Sequence, residues 1–123
     1  MVEPDSDALR GQRLLIVEDE YTIAADLARA LEERGADVIG PAASIEDALE
    51  LVGAQQQIDG AVLDINLRGE RAYPVADALR MREVPFIFAT GYDAWAIPAA
   101  YADVPRIEKP VSTRELARLL SEA

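Results

Sequence analysis

Carboxylate side chains follow two of the short apolar runs that predict buried strands in this sequence. Glu18 and Asp19 come directly after the run 14–17, and Asp64 comes directly after the run 61–63. Carboxylates that lie close together repel one another, and their pKa values rise unless a cation lies between them. Because the chain has no histidine and no cysteine, only oxygen ligands are available, and Mg²⁺ suits such a set best. The pattern therefore predicts a magnesium site.

A hydroxyl and a lysine stand at two further strand ends. Thr90 ends the apolar run 85–89, and Lys109 is the only lysine among twelve basic residues. A carboxylate beside a metal ion can act as a nucleophile toward phosphorus. Positive charge from the metal and Lys109 would stabilise the phosphoryl oxygens, and the Thr90 hydroxyl could donate a hydrogen bond to one of them. These residue types predict phosphoryl transfer onto one of the carboxylates of this group.

The elements that must position these residues alternate between short apolar runs and segments of helical periodicity. The alternation occurs five times and predicts a parallel sheet with helices on both faces, because right-handed crossovers place them there. We expect an α/β fold with a doubly wound, five-stranded sheet of order 2-1-3-4-5, which binds ligands between strands 1 and 3. The predicted strands include 14–17, 38–39, 61–63, 85–89 and Ile107. Four helices are predicted: one over 20–34, one after the N-cap Ser44, one that contains Val75 and Leu79, and one after the N-cap Ser112.

Length and charge restrict the class of protein. The 123 residues suit one domain, which we place at residues 13–123 after a polar leader at 1–12. The apolar runs are far shorter than the roughly 20 residues of a membrane-spanning helix. A net charge of −11 opposes contact with nucleic-acid phosphates. We expect a cytoplasmic protein that binds neither membranes nor nucleic acids.

Taken together, these positions resemble the signature of the response-regulator receiver domain of two-component signalling. The resemblance covers roughly residues 13–121 and lies in LLIVEDE (14–20), AVLDINL (61–67), Thr90 and the pair Lys109-Pro110. It implies the receiver version of the flavodoxin-like fold. It also implies that the protein is a phosphoprotein that uses Mg²⁺ as its cofactor in a phosphorelay.

The same resemblance assigns the metal ligands. Asp19 would be a direct ligand of Mg²⁺, and Glu18 would act through water. Asp64, the phosphoacceptor, would also contact the ion. The backbone carbonyl of Asn66 would complete the protein ligands.

Three other residues receive roles from the resemblance. Thr90 would be the switch hydroxyl, and Lys109 would pair with the phosphoryl group. A cis peptide would precede Pro110, with a structural role.

One position departs from the family pattern. Receivers usually carry an aromatic switch residue three positions before the lysine, and here that position holds Arg106. The segment FATGY (88–92) resembles the FATGUY subgroup, whose members lack the usual aromatic residue, often stand alone and are associated with bacterial stress signalling. Gly91 and Tyr92 thus become candidates for a different switch, and we expect the segment 92–104 to be the moving part.

The expected function is that of a stand-alone response regulator. A sensor histidine kinase or a phosphotransfer protein would supply the phosphoryl group to Asp64. Because we expect no output domain after Ala123, the signal would pass by contact with a downstream protein, or the domain would only pass on or drain phosphoryl groups. The domain would not be an enzyme, beyond taking part in its own Mg²⁺-dependent phosphotransfer and dephosphorylation.

Several alternatives remain open at this point. One is a pseudo-receiver that binds partners without phosphorylation, although the complete acidic set argues against it. Another is a Mg²⁺-dependent enzyme of the Toprim or haloacid-dehalogenase type, but the Asp-x-Asp pairs that these need are absent at strands 3 and 1, respectively. A third is a flavodoxin-like FMN carrier. Such a carrier would need a phosphate loop rich in Ser, Thr and Gly after strand 1, and no such loop follows that strand here.

Overall fold

The computed structural model describes residues 8–91 and 97–121, and most of them belong to helices and strands. No described helix has both the length and the apolar character needed to cross a bilayer. In chain order the elements are β1 (Arg13–Val17), α1 (Tyr21–Glu33), β2 (Asp37–Ala42), α2 (Ile45–Ala54), β3 (Gly60–Asp64), β4 (Asn66–Leu67), β5 (Glu70–Arg71), α3 (Tyr73–Met81), β6 (Phe86–Thr90), a 3₁₀ turn (Ala99–Tyr101), β7 (Arg106–Glu108) and α4 (Thr113–Ser121).

Five of the strands form one parallel sheet in the order β2-β1-β3-β6-β7. The two short strands β4 and β5 pair antiparallel with each other as a separate hairpin. When the two hairpin strands are not counted, β6 and β7 are the fourth and fifth strands of the chain. The strand order is then the predicted 2-1-3-4-5, so the predicted doubly wound fold is confirmed. All five strands therefore present their carboxyl ends at one edge of the sheet.

Both faces of the sheet are covered, which explains why the strands read as continuous apolar runs. Successive side chains of a strand point to opposite faces. Leu15 and Val17 lie in a buried cluster with residues of α2 and α3. Leu14 and Ile16 lie in a second cluster with residues of α1 and α4. This packing on both faces holds the central strands β1 and β3 in place, and with them the residues at their carboxyl ends.

Two predicted helix starts are confirmed by their capping bonds. The Ser44 hydroxyl accepts a hydrogen bond from the Asp47 N–H (3.1 Å), and the Ser112 hydroxyl accepts one from the Glu115 N–H (3.3 Å). Such caps satisfy N–H groups that have no partner within the helix. The second cap starts α4 shortly after Lys109 and so fixes where the loop after β7 ends.

The described part of the connection between β6 and β7 contains no α-helix. Within the described residues 97–105 the chain forms only the 3₁₀ turn, which begins after Pro98. Proline lacks the N–H group that a helix interior needs. The described part of the chain thus has four α-helices, which correspond to the four helical segments predicted from the sequence.

The described residues just before β1 include one buried side chain within the predicted polar leader 1–12. Leu9 is fully buried in the cluster formed with α1 and α4. Its N–H group donates to the Arg34 carbonyl at the end of α1 (2.9 Å). Packing of the domain therefore begins a few residues before β1.

Candidate functional site

The carboxyl edge of the sheet brings the predicted acids together. Glu18 and Asp19 follow β1, and Asp64 ends the neighbouring strand β3. One carboxylate oxygen from each of the three lies within 4.8 Å of the others. Glu18 is 2% exposed and Asp64 is 6% exposed, so their charges are removed from bulk water. Like charges buried at this spacing either raise the pKa of one carboxyl or need a cation between them.

Lys109 supplies positive charge to this cluster. Its Nζ donates a hydrogen bond to Asp64 Oδ2 (2.9 Å) and lies 3.0 Å from Glu18 Oε1. This second contact is an ion pair, and Glu18 Oε1 accepts no hydrogen bond within the described part of the chain. One ammonium group therefore stands between two buried carboxylates.

The protonation of this group of residues is shifted by burial and by charge. Burial raises the pKa of Glu18 to about 7, and the neighbouring Asp64 charge adds to the rise. The Glu20 N–H and the Lys109 ammonium act in the opposite direction. Burial lowers the pKa of Lys109, but contacts with Asp64 and Glu18 outweigh it and raise that pKa above its usual value. Lys109 is therefore charged at neutral pH, whereas Glu18 is close to its midpoint.

Backbone N–H groups orient all three carboxylates. The Glu20 N–H donates to Glu18 Oε2 (3.1 Å), and the Asn66 N–H donates to Asp64 Oδ1 (3.1 Å). The Arg68 N–H, from the turn of the β4–β5 hairpin, donates to Asp19 Oδ2 (3.0 Å). Each acid is thus held in one orientation by the main chain.

The hairpin also determines where the Asn66 carbonyl points. In antiparallel strands, hydrogen-bonded and non-hydrogen-bonded pairs alternate. The Ala72 N–H donates to the Ile65 carbonyl (2.8 Å), so Ile65 and Ala72 form a hydrogen-bonded pair. The next pair, Asn66 and Arg71, is therefore a non-hydrogen-bonded pair. The N–H and carbonyl of Asn66 therefore face away from Arg71, on the side where the N–H meets Asp64.

Thr90 contributes a buried hydroxyl that has no partner among the described residues. Thr90 ends β6 and is 2% exposed, and its Oγ1 makes no hydrogen bond to residues 8–91 or 97–121. A buried polar atom left unsatisfied costs free energy and calls for an explanation. The Thr90 carbonyl accepts a hydrogen bond from the Lys109 N–H (2.9 Å), which joins the ends of β6 and β7. The hydroxyl is therefore available to a group that enters from outside.

A polar cleft of about 270 Å³ opens at this edge, lined by residues that include Asp19, Asp64, Asn66, Gly91 and Lys109. The oxygen donors around it fit a small, hard cation such as Mg²⁺, which accepts one or two carboxylates and keeps several waters. Glu18 Oε1 accepts no hydrogen bond from a described residue although it lies 3.0 Å from Lys109 Nζ, which agrees with this fit. The ligands would be Asp19 and Asp64, with the Asn66 carbonyl, and Glu18 through water.

The remaining predicted positions are only partly brought to the site. Gly91 lines the cleft, and the peptide bond between Lys109 and Pro110 is cis, as expected. Arg106 is exposed on β7, the edge strand, in register with Phe88. Tyr92 lies outside the described residues, and the switch role proposed for it stays a prediction.

Part of the predicted moving segment, 97–104, is tied to α3. The Tyr101 hydroxyl donates to Asp77 Oδ1 (2.7 Å), which raises the pKa of the Tyr101 phenol. Arg80 donates to the Ala100 carbonyl (3.1 Å) and pairs with Asp103 (2.7 Å). Sequence reasoning did not find these contacts, because their partners lie twenty or more positions apart and follow no motif.

Replacing Tyr101 with phenylalanine is expected to cost about 1 kcal/mol of unfolding free energy, because the hydrogen bond to Asp77 is lost while the ring is kept. Urea denaturation measures the change, and faster amide exchange over 97–104 should accompany it. Tyr21→Phe is the matched control, since Tyr21 is 84% exposed. Equal losses in the two variants would show that the contact with Asp77 contributes nothing.

Comparison with known proteins gives a family match over nearly the whole domain. A family model described as the response regulator receiver domain matches residues 14–121. The chain is 31% identical over 114 residues to the sensory transduction protein LytT of Bacillus subtilis, covering 89% of this chain and 47% of LytT. It is also 29% identical to the transcriptional regulatory protein PdtaR of Mycobacterium tuberculosis, in an alignment 136 positions long that covers 96% of this chain and 66% of PdtaR.

Solved structures agree with this match. The solution structure of SdrG from Sphingomonas melonis Fr1 is 37% identical in sequence and superposes with a TM-score of 0.79. That comparison covers 94% of this chain and 98% of SdrG. By contrast, the chain spans about half the length of LytT and just under two thirds of PdtaR.

Proposed function

The chain belongs to the response-regulator receiver domain family, and we propose that it accepts a phosphoryl group on Asp64 with Mg²⁺ bound beside it. The donor would be a phosphorylated histidine of a partner kinase or phosphotransfer protein. The observation that carries the proposal is the convergence on Asp64 of the Lys109 ammonium and the carboxylates of Glu18 and Asp19.

The residues of this chain suit the chemistry of the transfer. A carboxylate oxygen of Asp64 forms the new O–P bond while the P–N bond of the phosphohistidine breaks, and the electron pair stays on the imidazole nitrogen. The Lys109 ammonium would pair with the incoming phosphoryl oxygens, and the unpartnered Thr90 hydroxyl would donate to one of them. Mg²⁺, when bound, supplies further positive charge to these oxygens.

The output would be a change in protein–protein contact. We propose that the domain is a FATGUY-type receiver that acts in bacterial stress signalling and turns over no separate substrate. Arg106 is exposed at the position where receivers usually carry an aromatic switch residue. A ring therefore does not report the phosphoryl group there, which favours the backbone around Gly91 as the carrier of the change.

Intact mass spectrometry tests the proposed function directly. After incubation with acetyl phosphate and Mg²⁺, the wild-type protein should gain one phosphoryl group, and Asp64→Asn should gain none. Asp26→Asn is the matched control, because Asp26 is an exposed acid on α1. A gain that persists in Asp64→Asn would place the acceptor elsewhere. No gain in the wild type would favour a pseudo-receiver.

A further inference from the structure

The β4–β5 hairpin directly follows Asp64 and touches two of the three site carboxylates. Its N–H groups at Asn66 and Arg68 donate to Asp64 Oδ1 and Asp19 Oδ2, at 3.1 Å and 3.0 Å. One side of each carboxylate is thereby occupied by the main chain.

The geometry of the hairpin depends on its two turn residues. Arg68 has φ 51° and Gly69 has φ 86°. A two-residue hairpin turn of type I′ needs positive φ at both positions, and glycine adopts it without strain. The turn brings the Arg68 N–H to Asp19 across 49 positions of sequence.

We infer that the β4–β5 hairpin is a positioning device for the metal site, with Gly69 as the residue on which its geometry depends. The hairpin holds Asp19 and Asp64 in the orientation that binds a divalent cation, and its register turns the Asn66 carbonyl toward the same side. The inference rests on the proposed function. It adds that main-chain contacts from this turn, rather than the acids alone, set the affinity for Mg²⁺.

The structure provides a closely matched pair of variants. Gly69 and Gly11 both have positive φ, 86° and 80°, and a Cβ at either position would meet no atom within 4 Å. Alanine should therefore strain the backbone similarly in Gly69→Ala and Gly11→Ala, lowering Tm by roughly 3–6 °C in each. Gly11 precedes β1, at the edge of the sheet opposite the acids.

The experiment measures the Kd for Mg²⁺ of the full chain from the dependence of Tm on Mg²⁺ concentration. We expect Gly69→Ala to raise this Kd about 10-fold, as loss of groups that orient metal ligands commonly does. Gly11→Ala should leave it within about twofold, because distant sites act independently. Arg68→Asn creates Asn-Gly, a favoured pair for this turn, and should bind Mg²⁺ at least as tightly as the wild type.

The outcomes separate this inference from the proposed function. Equal Kd values in the two alanine variants, with normal binding by the wild type, would overturn the role of the hairpin and leave the phosphorylation test unaffected. Weaker binding by Arg68→Asn would also overturn it, since the side chain rather than the turn would then be responsible. A wild-type Tm that does not respond to Mg²⁺ would overturn both proposals.

Discussion

Replacing Lys109 with methionine is expected to destabilise the metal-free domain by about 3 kcal/mol at a pH of about 8. Removal of one partner from a buried ion pair costs roughly 3–5 kcal/mol, because a buried charge is left uncompensated. The lower end applies because the Lys109 side chain is 21% exposed, whereas those of Glu18 and Asp64 are 1% and 8% exposed. Urea denaturation in the absence of Mg²⁺ measures the loss.

The loss should become smaller as the pH falls. Burial already raises the pKa of Glu18 to about 7 from 4.5 while Lys109 is present, and without the ammonium this pKa rises further. A carboxyl with a raised folded-state pKa stabilises the fold below its unfolded pKa, and this contribution is lost as the pH rises through the folded value. Stability should therefore fall between a pH of about 5 and about 8, more steeply in Lys109→Met than in the wild type.

Arg29→Met provides the control for this experiment. Arg29 also pairs with an acid, Asp26, at 2.8 Å, but both side chains are 71% exposed. Exposed pairs contribute roughly 0–1 kcal/mol, so this variant should lose little at either pH. A loss in Lys109→Met that is equally small, or that is the same at both pH values, would contradict the buried ion-pair arrangement.

Mg²⁺ binding should depend far more on Asp19 than on Glu18. We expect Asp19→Asn to weaken binding more than about 100-fold and Glu18→Gln to weaken it about 10-fold, the range that loss of an indirect partner produces. The reason is charge: Glu18 is half protonated near neutral pH and already faces Lys109. Wild-type Tm should rise with Mg²⁺, because the ion relieves repulsion and binds only the folded state.

Asparagine is the informative replacement at position 19. Its side-chain oxygen can still accept the Arg68 N–H, so the hairpin contact is kept while the negative charge is lost. Isothermal titration calorimetry gives the three affinities at one pH. If Asp19→Asn and Glu18→Gln bind equally well, the assignment of Asp19 as the direct ligand is wrong.

Much of the fold was predictable because one physical pattern repeats along the chain. Two-sided burial makes each central strand a continuous apolar run, and the residue after each run must emerge at the same edge. This places Glu18, Asp64 and Thr90 together without knowledge of any contact. Lys109 could be identified as the cation because it is the only lysine.

Other features depend on contacts that no local pattern encodes. The β4–β5 hairpin has strands of two residues, too short for the alternation that marks a strand. Its Arg-Gly turn is a weaker signal than Asn-Gly. The bond between Tyr101 and Asp77 needs α3 to lie beside the segment after β6, and only tertiary packing brings them together.

The backbone hydrogen bond between the Thr90 carbonyl and the Lys109 N–H offers a spectroscopic signal. An amide proton resonance is sensitive to the length of the hydrogen bond in which it takes part. If the main chain of Thr90 shifts when its hydroxyl turns toward a phosphoryl group, the amide peak of Lys109 shifts in the ¹H–¹⁵N spectrum. One NMR signal, from the residue directly after β7, therefore reports what happens at the end of β6 without any added label on a side chain.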